Sequence, residues 1–481
     1  MLDDLGLQGD FPGVAFPHER NTWLSLCPDP RLLIIQLEEY DDQNKSNGLS
    51  EILEIRKDNL GPSLSISYDR PLHIVRGYGQ YLFDIDGRRY LDTANNVAHV
   101  GHEHPRVVKM AQQQMGILNT NTRYLHENIT SFAKTLLDKF PPALCVVHFV
   151  NSGSEANELA IRMSKTYSGY KDMIAIEVGY HGNTGACIDV SSYKFKGKGG
   201  NGAPEHTHIL PIPDTYRGIH KDADNPGEVY SNYVEGVIKN IQEKGRGVAG
   251  FIGESIISCG GQVVLPEGYL ERIYKSVRAA GGLCIADEVQ VGFGRVGSHF
   301  WGFELQGVIP DIVTMGKPIG NGHGLAAVVT TRTVADAFAN GMEYFNTFGG
   351  NPVSCAIGLE VLRVIEEEDL QNNAAEVGSY LKEELEELQR EFQIIGDVRG
   401  AGLFLGFELV RDRDSLEPAD LEASYLANRM RGRGILMSTD GPYHNVIKIK
   451  PPMVFSKPNV DFLVENLRSV LREDFMLKDK P

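Results

Sequence analysis

From about residue 105 to 340, short apolar runs alternate with stretches of helical periodicity. No other feature of the chain constrains its fold as much. The runs are V-V-H-F-V (146–150), M-I-A-I-E (173–177), A-G-F-I-G-E (249–254), L-C-I-A-D-E (283–288), D-I-V-T-M (311–315) and A-A-V-V-T-T (326–331). Each is short and nearly continuous in its apolar character, as a strand covered on both faces must be. Helical stretches such as Glu155–Tyr167 and Tyr269–Ala280 fall between them. The alternation predicts an α/β architecture with a mostly parallel sheet and helices on both faces. In such sheets ligands bind beyond the carboxyl ends of the strands. The residues that follow each run are therefore where chemistry is to be sought.

The flanks read differently. Residues 1–60 form an extension: Pro12, Pro17, Pro28 and Pro30 break its first part, and D-D-Q-N-K-S-N-G (41–48) is linker-like. A helix from Leu49 to Asp58 leads in. Alternating runs between 73 and 92 predict a small antiparallel sheet with a tight turn at Asp86-Gly87. After Asn351-Pro352 a long helix is marked by Ala356, Leu359, Leu362 and Ile365. Another helix, strands around 403–410 and 446–450, and a last helix follow, making a smaller α+β domain. The expected division is extension 1–60, N-terminal part of the small domain 61–104, large domain 105–350, and C-terminal small domain 351–481.

Charge and composition narrow the function. The 481 residues include 47 basic and 64 acidic side chains, a net charge of −17. That balance argues against nucleic acid or an anionic membrane as partner. No apolar run approaches the roughly 18 residues of a membrane-spanning helix. The N-terminus, M-L-D-D-L-G-L-Q-G-D, resembles neither a secretory signal nor a transit peptide. The cysteines at 27, 145, 187, 259, 284 and 355 show no metal-ligand spacing, and none of the sequence suggests a metal site. They read as reduced thiols of a cytoplasmic protein.

Four loops at strand ends carry candidate chemistry. F-V-N-S-G-S-E-A-N (149–157) runs from a strand through a Gly/Ser loop into a helix. Free N–H groups at a helix start favour a phosphate, and Ser152 and Ser154 add hydroxyls; an ordinary capped helix would look the same. G-Y-H-G-N-T (179–184) places Tyr180 and His181 where an aromatic could stack on a planar ring, or simply pack. I-A-D-E-V-Q-V-G-F-G-R (285–295) ends a buried strand on Asp287 and Glu288. Carboxylates there need a cation, and a protonated pyridine nitrogen or a nearby arginine would serve. T-M-G-K-P-I-G-N-G (314–322) puts Lys317 in a Gly-rich loop. A lysine desolvated there can form a Schiff base, whereas a lone lysine at a strand end is usually a surface residue. Together the four supply a phosphate cradle, a ring stacker, a pyridinium partner and an amine. Those are the requirements of pyridoxal phosphate chemistry.

On these motifs the chain resembles the class III (ω-aminotransferase-like) pyridoxal-phosphate enzymes of fold type I, over roughly residues 60–475. The resemblance implies pyridoxal 5'-phosphate as cofactor and a homodimer, or a tetramer, with shared active sites. It implies Lys317, Asp287 and Tyr180 as catalytic residues. The implied cofactor set is Gly153, Ser154, Tyr180, His181, Glu254, Asp287, Gln290, Lys317 and Thr347. Gly153 and Ser154 would hold the phosphate, Tyr180 would stack on the ring, and Asp287 would pair with the ring nitrogen. Gln290 would contact the ring hydroxyl, and Lys317 would form the Schiff base. Thr347, in Y-F-N-T-F-G-G-N-P (344–352), would reach the other subunit's phosphate. Arg399, in D-V-R-G-A-G-L (397–403), matches an arginine that often receives a substrate carboxylate.

One branch of that family is matched more closely. N-N-V-A-H-V-G-H-E-H-P (95–105), L-N-T-N-T-R-Y-L-H (118–126), P-D-T-Y-R-G (213–218) and V-I-K-I-K-P-P (446–452) look like the phospho-lyases that act on ethanolamine phosphate or 5-phosphohydroxylysine. W-L-S-L-C-P-D-P (23–30) looks like a linker found before such modules. Lys450 stands where ordinary aminotransferases of the class carry an apolar residue. It lies two residues after Lys448 and so on the same strand face. A second cation there would suit a phosphate leaving group; a solvated lysine on an edge strand is the alternative. Tyr68, His99, Asn96, Asn121 and Arg123 are further candidates for the substrate phosphate. The expectation is a lyase releasing phosphate from a small phosphorylated amine, with ethanolamine phosphate giving acetaldehyde, ammonia and phosphate. A 5-phosphohydroxylysine lyase and an ω-aminotransferase using a keto acid remain the alternatives.

Overall fold

The structure is a computed structural model, described here for residues 48–477. Its contacts divide the chain into two compact units. The described part of the first unit covers residues 48–76 and Phe83–Arg89. It contains helix α1 (Leu49–Asn59), which buries none of its residues. Its tight turn is built by Asp84, whose Oδ1 accepts the amides of Asp86 (3.1 Å) and Arg88 (2.8 Å). Gly87 turns the corner at φ 76, in the left-handed region that favours glycine.

The second unit is built on a seven-stranded sheet. Its strands are β1 (Leu144–Val150), β2 (Asp172–Ile176), β3 (Thr207–Leu210), β4 (Val248–Glu254), β5 (Leu283–Asp287), β6 (Ile312–Met315) and β7 (Ala326–Thr331), in the order β1-β7-β6-β5-β4-β2-β3. Only β7 runs against its neighbours, pairing antiparallel with β6 and β1. All six apolar runs of the sequence are strands here. The seventh, β3, carries no such signal in the sequence, because T-H-I-L is short and half polar.

Side chains of one strand alternate between the two faces of the sheet, each packed in an apolar core. Leu283 and Ile285 join one apolar cluster, Cys284 a second and Ala286 a third. Ala326 and Val328 likewise face away from Ala327 and Val329. Both faces being apolar explains why these strands read as unbroken runs.

Helix α2 (Gly153–Ser168) leaves β1 through a two-residue loop. Ser152 caps it by accepting the Glu155 amide (3.2 Å), and Gly169 ends it at φ 75. Helices α3 (Tyr269–Ala279), α4 (Pro352–Glu367) and α5 (Leu370–Glu391) follow. The C-terminal part adds a second, antiparallel sheet. Its strands are β8 (Ile395–Ala401), β9 (Phe404–Leu409), β10 (Ser438–Asp440) and β11 (Val446–Ile449), in the order β8-β9-β11-β10. Here β11 lies inside the sheet, between β9 and β10. The edge-strand alternative for Lys448 and Lys450 is thereby excluded. Among the described residues no helix is long and apolar enough to cross a membrane.

Candidate active site

A cavity of about 280 Å³ opens at the carboxyl ends of the central strands. Its lining contains Gly153, Ser154, Tyr180, His181, Glu254, Asp287, Gln290 and Lys317, eight of the nine residues expected for the cofactor. The ninth, Thr347, is exposed and lies outside the lining. Parallel strands bring loops far apart in sequence to one edge, so this convergence follows from the topology.

At one end stands the start of α2. Its first-turn amides have no partner within the helix and present partial positive charge. The backbone packs closely there. A Cβ on Gly153 would lie 2.9 Å from Val289 Cγ1. One on Gly182, at φ 128, would lie 2.6 Å from Ser154 Oγ. Ser154 Oγ in turn accepts the Asn183 amide (3.0 Å), tying the second loop to the first. Glycine at these two positions lets the loops pack against each other where a Cβ would collide.

On the floor, Asp287 is buried at the end of β5, 4 % exposed. Its Oδ2 accepts hydrogen bonds from Asn157 Nδ2 and His181 Nδ1, both at 2.8 Å, and its Oδ1 accepts the Val289 amide at 3.1 Å. Since the carboxylate only accepts, His181 carries its proton on Nδ1. Its Nε2 is buried with no partner in the protein. Asn157, which closes the motif N-S-G-S-E-A-N, carries no signal of its own in the sequence. Besides Asp287 it donates to the His181 carbonyl (2.8 Å), and its own Oδ1 accepts from Thr314 (2.6 Å). One amide thus joins three strand ends. Asn157→Ala strands the Thr314 hydroxyl and loosens Asp287. The expected result is a loss of about 1–3 kcal/mol of stability, read as a lowered Tm, together with weaker cofactor binding in an equilibrium titration.

Two residues of the lining, Gln290 and Glu254, belong to one polar network that continues through residues outside the lining. Gln290 Oε1 accepts from Asn96 Nδ2 and from Lys450 Nζ, both at 3.0 Å. Gln290 Nε2 donates to Ser258 Oγ (2.6 Å), and Ser258 is bonded to Glu254 Oε1. Glu254 Oε2 accepts the Tyr180 amide (3.2 Å), and burial raises the Glu254 carboxyl above its ordinary range. Burial raises the Tyr180 hydroxyl as well. Lys317 sits in a 3₁₀ turn at φ 36, a left-handed conformation unusual for a lysine. Such local strain is a mark of functional positions.

Lys450 is buried, 4 % exposed, directly after β11. Burial lowers its ammonium to about 8, partly offset by Asp440. Asp440 lies between the two lysines: Lys448 Nζ is 3.2 Å from its Oδ1 and Lys450 Nζ 3.8 Å from its Oδ2. Two cations therefore share one carboxylate.

Other candidates fare differently. His99 is fully buried, bonded through Nε2 to the Phe293 carbonyl (2.8 Å) and through Nδ1 to Arg295 (3.2 Å). Burial and the Arg295 charge hold its imidazole well below the ordinary range, so it is a neutral core group and no phosphate ligand. Arg123 is exposed, paired with Glu343 (2.9 Å) and stacked on Phe345 (4.1 Å). Asn121 caps the Arg123 amide (3.0 Å). Neither lines the cavity. Tyr68 belongs to the first unit, at φ 68. Each nitrogen of the Arg399 guanidinium is already engaged, by Gly261 O (2.7 Å), Asp397 (2.8 Å) and Glu408 (2.7 Å).

Comparison with known proteins shows the family of the chain. The family model for class III aminotransferases matches residues 65–471. The chain is 51 % identical over 430 residues to an alanine–glyoxylate aminotransferase 2-like protein of Drosophila melanogaster, covering 88 % of this chain and 87 % of that one. It is 42 % identical over 436 residues to ethanolamine-phosphate phospho-lyase homolog 1 of Caenorhabditis elegans, covering 88 % and 93 %. A solved phospholyase from Arthrobacter, in complex with phosphoethanolamine, superposes with a TM-score of 0.84 at 40 % identity, covering 87 % of this chain and 99 % of that one. The chain belongs to the class III aminotransferase family, of fold type I, whose cofactor is pyridoxal 5'-phosphate.

Proposed function

We propose that this protein is a lyase that eliminates phosphate from a phosphorylated primary amine, with ethanolamine phosphate as substrate. The observation that carries the reading is Lys450: a buried ammonium bonded to Gln290 of the cavity lining, sharing its one carboxylate with a second lysine. Two cations and one anion leave one positive charge for a substrate anion. A phosphate leaving from the carbon next to the amine-bearing carbon needs such a charge. The phosphoethanolamine held by the Arthrobacter relative supports the same substrate class.

The residues present fit the cofactor. The start of α2, the close-packed Gly153 and Gly182, the buried Asp287 and the orphan Nε2 of His181 form a cradle with polar atoms in reserve. Gly153 and Ser154 would hold its phosphate, Asp287 its ring nitrogen and Lys317 its reactive carbon. When bound, the cofactor supplies a sink for the electron pair released at the carbon bearing nitrogen.

The chain's own groups do the rest. Asn157 and His181 fix the Asp287 carboxylate in one orientation, so its charge is preorganised. Lys317 Nζ takes the proton from the amine-bearing carbon. Lys450 meets the negative charge that grows on the phosphate oxygen as the carbon–oxygen bond breaks. The organic product of elimination is an enamine. Water adds to it and releases acetaldehyde and ammonia, so one ethanolamine phosphate and one water give acetaldehyde, ammonia and phosphate.

The exposed apolar residues Tyr124, Leu125, Met342 and Phe348 lie around the Arg123–Glu343 contact and Thr347. They support a homodimer in which Thr347 serves the neighbouring cofactor's phosphate. The described cysteines are all free, which suits a cytoplasmic protein.

The test is an amine screen on the cofactor-loaded protein. Ethanolamine phosphate alone is expected to yield inorganic phosphate, while simple amines with pyruvate or 2-oxoglutarate yield no amino acid. Steady amino transfer without phosphate release would make the protein an aminotransferase.

A further inference from the structure

We propose that Lys194, held over the Tyr180 ring on a basic loop, steers the substrate's phosphate into the cavity. The inference rests on the lyase reading and adds a specificity element to it: phosphorylated amines are captured faster than simple ones.

The loop stands out in the charge pattern. Residues 190–204, V-S-S-Y-K-F-K-G-K-G-G-N-G-A-P, hold Lys194, Lys196 and Lys198 and no acidic residue, in a chain of net charge −17. Its first part is a single helical turn, Ser192–Phe195. That turn is tied to the loop carrying Tyr180 on both sides of the tyrosine. Ser192 Oγ accepts the Val178 amide (2.6 Å), the Gly179 carbonyl accepts the Tyr193 amide (3.3 Å), and Ser191 Oγ accepts the His181 amide (2.9 Å). Phe195 is buried and anchors the end of the turn. Of residues 191–195, only Lys194 is exposed.

The Lys194 ammonium lies 5.5 Å from the centre of the Tyr180 ring and 5.5 Å from that of Tyr193. The two rings meet edge to face, 6.3 Å apart at 74°. Tyr180 lines the cavity. Among the described residues Lys194 has no ion pair, whereas Lys196 is paired with Glu177 (2.7 Å). A lysine on an unanchored loop would spread its charge over solvent. Hydrogen bonds on both sides of Tyr180 confine this one beside the cavity.

A phosphate entering here meets opposing charge. Asp287 and Glu254 line the cavity, and the bound cofactor brings a phosphate of its own. The field of the whole chain repels an anion, so a local cation decides how often one arrives. Lys450 is buried and acts once the phosphate is seated; Lys194 is exposed and acts during approach. At 5.5 Å from a lining ring, its charge lies within the screening length of about 8 Å at physiological salt. A simple amine, itself a cation, gains nothing from it.

The probe is 2-aminoethylphosphonate, which keeps the amine and an anionic phosphorus group but lacks the ester oxygen, so no phosphate can leave. It is mixed rapidly with cofactor-loaded protein, and the change in visible absorbance gives the association rate. Ethanolamine is the control. Both are run at about 0.01 M and about 1 M ionic strength, where charges are screened over about 30 Å and about 3 Å. Lys194→Gln is expected to slow the phosphonate about fivefold at low salt and to match wild type at high salt. Lys194→Arg keeps the charge and is expected to keep the wild-type rate. Ethanolamine is expected to bind the Lys194→Gln protein no more slowly than wild type. Equal phosphonate rates at low salt in wild type and Lys194→Gln overturn the proposal. So does a slowing that persists at high salt or extends to ethanolamine, since either marks a structural role. A phosphonate that gives no absorbance change overturns it too. Phosphate release tests the lyase separately: none from ethanolamine phosphate overturns that reading, and the phosphonate rates still decide the role of Lys194.

Discussion

Lys317→Ala is expected to lower phosphate release by about four orders of magnitude, since it removes the amine that both holds the cofactor and moves the proton. The visible absorbance of the cofactor-loaded protein should be lost with it. The fold should survive. Alanine and lysine share the same Cβ, so the strained φ of 36 at this position is no worse in the variant. Cofactor should still bind, because the start of α2, Asp287 and Gln290 remain. Full activity in Lys317→Ala would refute the assignment of the amine.

Lys450→Met has the second largest expected effect, a fall of about 10²–10³ in turnover. Methionine fills a similar volume in the buried site and does not pair with Asp440, which keeps Lys448 as its partner. Cofactor binding should change little, which separates this variant from those of the cradle. The pH dependence supplies a further check. Burial brings the Lys450 ammonium down to about 8. Below that value the lysine is charged and can meet a departing phosphate; above it the lysine is neutral. The kcat/KM of wild type, which reports the free enzyme, should therefore fall as pH rises through about 8. That limb should be absent from Lys450→Met. A variant with wild-type turnover and an unchanged profile would return Lys450 to a structural role.

The central sheet and most of the cavity are legible in the amino-acid sequence for a physical reason. Strands buried on both faces must be apolar throughout, and loops that meet a ligand must carry glycine, hydroxyls and charge. Both signals are local. What escaped is set by pairing between distant segments. Strand β8, I-G-D-V-R-G-A, holds two glycines and two charges, and it becomes a strand only because β9 pairs with it. The burial of Lys450 depends on β10, three polar residues that carry no strand signal. Without β10, the strand before Lys450 looks like an edge. His99 is a polar residue among loop residues, yet it folds inward onto Arg295, a fully buried arginine whose own carbonyl partners are Leu403 and Pro451. Asn157 was hidden inside a motif read for its phosphate loop. Its role shows only when β5 and β6 bring Asp287 and Thr314 beside it. Arg399 is the sharpest case. The motif around it is plain, and whether the guanidinium is available is decided by a carboxylate on the next strand.

The most direct test of the account is product stoichiometry. Purified, cofactor-loaded protein is given ethanolamine phosphate and no keto acid, and phosphate, ammonia and acetaldehyde are counted per enzyme over time. A lyase gives the three in equal amounts through many turnovers. An aminotransferase without an acceptor stops after converting its own cofactor, with no phosphate released, and that result would contradict the central claim.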